Sequence, residues 1–293
     1  MLNSTVSIKS RPGTVLQSRR KQLFAEFEAQ KPFLKWAGGK TQLINEISKY
    51  VPKKFNNYIE PFIGGGALYF NLNHPKSIIS DLNEELVITY KQVKENIYEV
   101  IRILETFENT EEAFYKIRAI DIQKLSAPER AARLLYLNKT CFNGLFRVNK
   151  KGEFNVPYGK RSGTFYNRET LLGASDYLQK TDIYHCDYKE ILKRHAQKGD
   201  FIFLDPPYQP VGKHSDFKRY TKEFFYENDQ IELANIFKEL CNKGCYVMLT
   251  NSNHPLILDL YKDFQIKIIE TKRLISSNPK TRTGIDIIVL GGI

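Results

Sequence analysis

A chain of 293 residues with 42% apolar and 26% charged residues has the composition of an ordinary globule with ample core, built as one large domain or a domain with an insertion. Its 44 basic against 33 acidic residues leave a net charge of +11, which favours a polyanionic partner, nucleic acid ahead of membrane, because no basic amphipathic helix stands out. No apolar stretch is long enough to span a bilayer and no secretory signal opens the chain. Cys141, Cys186, Cys241 and Cys245 lack zinc or disulfide spacing, so a reducing cytoplasm and no bound metal are expected.

Residues 1–31 are rich in Ser, Lys and Arg and read as a mobile basic extension, suited to an arm on nucleic acid, a targeting segment or a plain tail. The folded part begins at Pro32. Trp36 opens Trp36-Ala37-Gly38-Gly39-Lys40, where two glycines let a ligand approach the backbone and Lys40 can meet an anion. A simple turn before a helix over 42–50 fits the same residues. Next, a strand from Asn57 runs through Glu60 into Pro61-Phe62-Ile63-Gly64-Gly65-Gly66, and a helix opens at Ala67. This is the βα turn of a dinucleotide-type fold, although the spacing is not the NAD fingerprint. A second strand over 77–80 ends in Asp81, where an acid can take both hydroxyls of a ribose.

From Asn83, Leu86, Tyr90, Val93, Ile97, Val100 and Leu104 recur at three and four and predict a helical stretch. A second helix is expected over 111–125. Ser126 and Glu129 form a capping box, with Pro128 in the first turn, for a helix reaching Thr140. Between Asn138 and Lys160, Asn-Gly and Lys-Gly turns indicate a hairpin-bearing loop rather than core. Its mixture of bases, aromatics and amides suits the reading of base edges and the filling of stacking gaps, and equally suits a solvated hairpin.

The sheet resumes at 182–186, ending in Asp187-Tyr188, and continues in Phe201-Ile202-Phe203-Leu204. Asp205-Pro206-Pro207-Tyr208 follows. Prolines cannot continue a central strand, so this one stops and exposes Asp205 at its edge, while Pro207 pushes Pro206 into an extended conformation and fixes its carbonyl. An aimed carboxylate, an aimed carbonyl and a flat ring are the parts that grip a planar exocyclic amine; a strand end closed by a rigid turn also accounts for a lone Asp-Pro-Pro. Residues 209–226 read as a polar loop closing over a ligand. A helix over 229–242, strands over 246–250, 266–271 and 285–290, a short helix near 256–261 and a basic loop at 276–282 complete the chain. Strands alternating with helices predict a largely parallel sheet covered on both faces. One edge should be antiparallel, since the last two strands are joined too tightly for a crossover helix.

Four of these stretches, in this order, resemble the motifs of the DNA adenine-N6 methyltransferases of the Dam/DpnII group. Trp36 to Lys40 is similar to the family's N-terminal S-adenosylmethionine contact, Glu60 to Gly66 to its cofactor loop, Asp81 to its ribose-binding acid, and Asp205 to Tyr208 to its catalytic motif. Residues 142–147 and 154–157 resemble its target-recognition hairpin, and 276–282 a C-terminal loop. The resemblance implies an α/β, Rossmann-like S-adenosylmethionine-dependent methyltransferase sheet over 32–90 and 169–293, with an inserted, mainly helical target-recognition domain over 91–168. It implies catalysis by Asp205, Pro206, Pro207 and Tyr208, and cofactor binding by Trp36, Lys40, Phe62, Gly64, Gly66, Asp81, Asp187 and Asp205. DNA contacts would come from Lys35, Phe142, Asn143, Leu145, Arg147 and Pro157.

The same resemblance implies base flipping in double-stranded DNA and a bacterial cytoplasmic, nucleoid-associated place, with no stable protein partner, and leaves open an orphan enzyme or one with a cognate restriction endonuclease encoded nearby. Leu145, Arg147 and Pro157 match the family members that modify GATC. The residues leave open another nucleic acid as substrate, cytosine N4 included, although the N4 enzymes usually carry Ser where Asp205 stands. They also leave open a catalytically silent DNA-binding relative.

Overall fold

The computed structural model describes residues 30–149, 152–160, 162–210, 225–272 and 283–292. The extension up to residue 29, most of the polar loop after Asp205-Pro206-Pro207-Tyr208 and the basic loop at 276–282 lie outside the described residues. Gln30 belongs to the fold: its side-chain amide donates to the Thr170 carbonyl at 2.8 Å, two residues ahead of the expected Pro32.

After a 3-10 turn at Lys40–Gln42 come helix α1 (Ile44–Ser48), strand β1 (Tyr58–Glu60), α2 (Ala67–Leu72) and β2 (Ser77–Asp81). A helical stretch follows: α3 (Glu84–Glu95), α4 (Ile97–Leu104), α5 (Glu111–Ala119) and α6 (Ala127–Thr140). The chain then gives α7 (Arg168–Leu178), β3 (Thr181–His185), α8 (Tyr188–His195) and β4 (Phe201–Leu204), and finally α9 (Glu227–Asn242), β5 (Tyr246–Ser252), α10 (Pro255–Leu260), β6 (Gln265–Lys272) and β7 (Thr283–Gly291).

The strands form one seven-stranded sheet in the order β3-β2-β1-β4-β5-β7-β6. β3, β2, β1, β4 and β5 are parallel, and β7 runs antiparallel to both of its neighbours, as the tight connection to β6 requires. Side chains alternate between two cores. Tyr58, Phe201, Phe203, Met248, Ile288 and Leu290 enter one with α2 and α3, while Ile59, Ile202, Leu204, Val247, Leu249, Ile287 and Val289 enter the other with α8, α9 and α10. Both faces of the central strands are therefore dry, which is why they read as unbroken apolar runs. No helix among the described residues is long and apolar enough to cross a membrane.

The helical segments depart from the expected bounds for local reasons. Asn96 leaves the helical region at φ −133°, ψ 36°, and its side chain bonds Gln92, so the stretch from Asn83 divides into α3 and α4. The helix expected to reach residue 125 stops at Ala119, because Ile120 turns extended and Asp121 caps a separate 3-10 turn at Ile122–Lys124. The capping box of Ser126 and Glu129 starts α6 as expected. These helices join the core of the sheet: Ile101, Leu104, Phe114, Leu135 and Leu137 belong to the same cluster as α3. Buried Arg133 ties α6 to α5 by donating to the Ile117 and Arg118 carbonyls at 3.0 and 2.6 Å.

Where β1 and β4 begin, a fully buried carboxylate holds them together. Asp200 accepts from the Asn57 backbone and side-chain amides at 3.1 and 2.8 Å and from Gln197 N at 2.8 Å. Asp200→Ala would leave these donors without their charged acceptor, and urea unfolding is expected to show a loss of about 3 kcal/mol, with a smaller loss for Asp200→Asn.

Candidate active site

The strand order reverses between β1 and β4. Chain leaving β1 builds the sheet towards β2 and β3, and chain leaving β4 builds it towards β5, so a crevice opens at the carboxyl ends of this central pair. The two motifs singled out in the sequence stand there, the glycine loop after Glu60 and Asp205 after Leu204. As expected from the prolines, β4 stops at Leu204, in register with Leu249 of β5.

Asp205 is gripped from two sides. Lys40 Nζ lies 2.6 Å from its Oδ1 and 2.7 Å from its Oδ2 and also donates to the Gly38 carbonyl, while Thr250 Oγ1 donates to Oδ1 at 2.6 Å. The same ammonium sits 4.7 Å from the centroid of the Tyr208 ring. Side-chain exposure is 6% for Lys40 and 18% for Asp205, so the cation is buried and the carboxylate keeps an opening.

Beyond Asp205 the turn is latched to the core by buried amides. Gln230 of α9 donates to the Pro207 carbonyl at 2.9 Å and accepts from Asn251 Nδ2 at 3.0 Å; Asn251 Oδ1 accepts from Gln209 N at 3.1 Å. Ser252 Oγ donates to the Gln209 carbonyl at 2.5 Å. Gln230 and Asn251 are wholly buried, so this network is satisfied internally and holds the turn in one conformation.

On the other side of the crevice, the glycine loop bends tightly. Gly64 and Gly66 have φ of +45° and +69°, and a Cβ on Gly66 would come within 2.8 Å of the Tyr90 hydroxyl. Half-buried Asp81 faces the loop, with Oδ2 accepting from Gly64 N at 3.1 Å and Oδ1 from Asn83 N at 2.9 Å. Burial pushes its carboxyl up to about 6, against the pull of these backbone donors. Asp187 caps α8 by accepting from Lys189 N at 2.8 Å. Phe62 packs beside Tyr188 at 5.1 Å and Phe225 at 6.1 Å between ring centroids. Glu60, 2% exposed, accepts from the Tyr58 hydroxyl at 2.6 Å, and burial holds its carboxyl well above the usual carboxylate range.

The hairpin corrects one expectation. The described residues of 138–160 are not a loop outside the core: Phe146, Phe154 and Val156 are buried in it, with bridges Cys141–Tyr158 and Val148–Phe154 giving strand-like alternation around them. The residues expected to contact DNA lie towards solvent. Phe142, Asn143, Arg147 and Pro157 are exposed and Leu145 is partly so, with Arg147 Nε donating to Asn155 Oδ1 at 2.8 Å. Lys35 joins them, since its side chain lies against Gly144.

Trp36 connects the halves of the site. Its ring stacks on Phe146 at 4.9 Å and 19°, and a Cβ on Gly64 would come within 2.9 Å of its Cδ1. Buried Asn138 fixes the same segment by accepting from Lys35 N at 2.9 Å and donating to the Lys35 carbonyl at 2.7 Å. Sequence reasoning missed Asn138, Phe146, Glu60, Gln230, Thr250 and Asn251. Glu60 and Thr250-Asn251-Ser252 carried a visible signal, since polar residues end the apolar strands there, in the manner of Asp81 and Asp205.

Residues 36–275 match the family model described as D12 class N6 adenine-specific DNA methyltransferase. The chain is 42% identical over 269 residues to the type II methyltransferase M1.LlaDCHI of Lactococcus lactis subsp. cremoris, covering 89% of this chain and 94% of that one. It is 40% identical to the type II methyltransferase M.MjaIII of Methanocaldococcus jannaschii, covering 87% and 96%, and 33% identical to the DNA adenine methylase of Haemophilus influenzae, covering 86% and 90%. Among solved structures, an rRNA methylase from Streptococcus thermophilus matches at a TM-score of 0.36 and 8% identity over 85% of this chain and 93% of that one, a likeness too distant to carry an argument.

Trp36→Ala would remove the ring shared by the glycine loop and the hairpin. Denaturant unfolding is expected to show a loss of about 2–3 kcal/mol, and limited proteolysis faster cutting between 142 and 158.

Proposed function

The chain belongs to the D12 class of N6 adenine-specific DNA methyltransferases, and from that membership we propose how its site works and which adenine it modifies. S-adenosylmethionine supplies an electrophilic methyl group on a sulfonium. The donor set in the crevice fits such a molecule: a carboxylate at Asp81 for a ribose diol, the rings of Phe62 and Tyr188 for a purine, and a second acid at Asp187.

The observation that carries the reading is the Asp205 carboxylate, held rigid by Lys40 and Thr250 at the mouth of that crevice, with Tyr208 beside it. Adenine N6 is a poor nucleophile because its lone pair is delocalised into the ring. Donating one N6 proton to Asp205 and the other to the Pro206 carbonyl turns the lone pair towards the methyl carbon. With the donor held in the crevice, its sulfonium would supply the methyl carbon to N6 and leave as a neutral sulfide that keeps the bonding electrons, and Asp205 would accept the N6 proton that is lost. Positioning and charge placement do most of this work. The amine is inaccessible in a duplex, so the base is extruded and stacked on Tyr208, at a cost of a few kcal/mol, roughly, that Phe142 offsets by filling the gap.

For the target we propose GATC. A short palindrome needs few reading groups: Arg147 for a guanine edge, Leu145 and Pro157 for a thymine methyl, and Lys35 for the outer guanine. These residues share the outer edge of the hairpin and its flank. The net charge of +11 adds salt-sensitive affinity without sequence choice. The chain is read as acting in the bacterial cytoplasm, with helices α4–α6 and the hairpin as its recognition unit.

Expression in a host that lacks adenine methylation, followed by single-base mapping of plasmid DNA, is expected to show N6-methyladenine at GATC, and none when Asp205→Ala is expressed. Modified adenines at other sites would reject the target and keep the chemistry.

The Asp81 carboxyl, pushed up to about 6, gives a pH test. If the ionised form grips the donor's ribose, affinity measured by calorimetry should fall about tenfold from about pH 7.5 to about pH 5 as the group takes up its proton. Asp81→Asn should bind weakly throughout and show no such dependence.

A further inference from the structure

The geometry points to Thr250 as a positioning residue that decides which oxygen of Asp205 receives the target amine. The inference rests on the role of Asp205 proposed above. A carboxylate oxygen accepts through two lone pairs. Among the described residues, Oδ1 accepts from Thr250 Oγ1 at 2.6 Å and also lies 2.6 Å from Lys40 Nζ in the ion pair, which crowds it from two sides, whereas Oδ2 is met only by Lys40 Nζ, which donates to it at 2.7 Å. Oδ2 therefore keeps one acceptor site, and that is where N6–H docks.

Lys40 cannot make this choice alone. Its ammonium is a point charge lying almost equally far from the two oxygens, and the terminal torsion of an aspartate is broad and nearly two-fold. Thr250 removes that symmetry. It is 1% exposed, stands on β5 one residue beyond the Leu204–Leu249 pair, and reaches Asp205 across the sheet. Its β-branched side chain is stiff about χ1, and the next residue, Asn251, is bound into the network with Gln209 and Gln230. The hydroxyl direction is thus set by the core rather than by a ligand. Thr250 touches the reaction only through Asp205.

The test uses the full chain, S-adenosylmethionine, and a duplex containing whichever adenine the wild type is found to modify, so a mistaken target does not affect it. Thr250→Val keeps the shape and removes the hydroxyl. Its kcat is expected to fall about 30-fold with KM for donor and duplex within about twofold of wild type. Thr250→Ser should recover kcat to within about threefold, and Thr250→Val added to Asp205→Asn should cost nothing further. Unchanged turnover in Thr250→Val, or a loss confined to the donor's KM and not recovered by Ser, would overturn the inference. Should Thr250→Val fail to fold, Thr250→Ser and Thr250→Ala carry the same comparison, and equal turnover in those two would reject the role. A fully active Asp205→Asn would instead reject the role of Asp205, and this inference with it.

Discussion

The ion pair between Lys40 and Asp205 joins side chains 165 residues apart in the chain, and the crevice is built around it. A lone buried charge in either place would be untenable, whereas the pair supplies each partner's counter-charge and the Gly38 carbonyl and Thr250 hydroxyl take up further hydrogen-bonding capacity. The neighbouring Glu60 completes the balance. Burial favours its neutral form, which weakens its competition with Asp205 for the Lys40 ammonium. The pair forms only if the Trp36–Lys40 segment lies across the carboxyl ends of β1 and β4, and the contacts of Asn138 and Trp36 keep it there.

The parallel sheet explains why the site needs so many remote partners. Four of the five parallel strands deliver a polar group at or near the carboxyl end: Glu60 from β1, Asp81 from β2, Asp205 after β4, Thr250 from β5. Strand register fixes where these groups start, and the turn after each strand fixes where they point. Buried amides then do for the Asp205 turn what glycine conformations do for the loop after Glu60. One turn is rigid because its Pro207 and Gln209 carbonyls are occupied, the other because only glycine fits.

Much of this was legible in the residues. Apolar runs and the acids that end them marked the strands of the parallel sheet, and the tight link between the last two strands required an antiparallel pair. Helix ends were less legible where one side chain overruled the apolar period, as Asn96 does in dividing α3 from α4. The hairpin was misread as lying off the core, since turn signals and basic residues hid the burial of Phe146, Phe154 and Val156. Glu60 and Asn138 stood inside segments already singled out, yet their roles depend on partners distant in sequence. No spacing announces that Asn138 will bond the backbone of Lys35, or that Gln230 will meet the Pro207 carbonyl.

The alternation within the hairpin has a consequence for how such proteins diversify. Positions pointing inward, Phe146, Phe154 and Val156, anchor it to the core, while the intervening Arg147 and Pro157 stand in solvent. Substitution at exposed positions typically changes stability by no more than about 0.5 kcal/mol, whereas loss of a buried aromatic costs several times that, on the order of 3 kcal/mol. Mutation can therefore explore new side chains along the outer edge while the fold and the crevice persist. Descendants of such a chain would be expected to differ first at these solvent-facing positions, and a laboratory library confined to them would retain a high fraction of folded members.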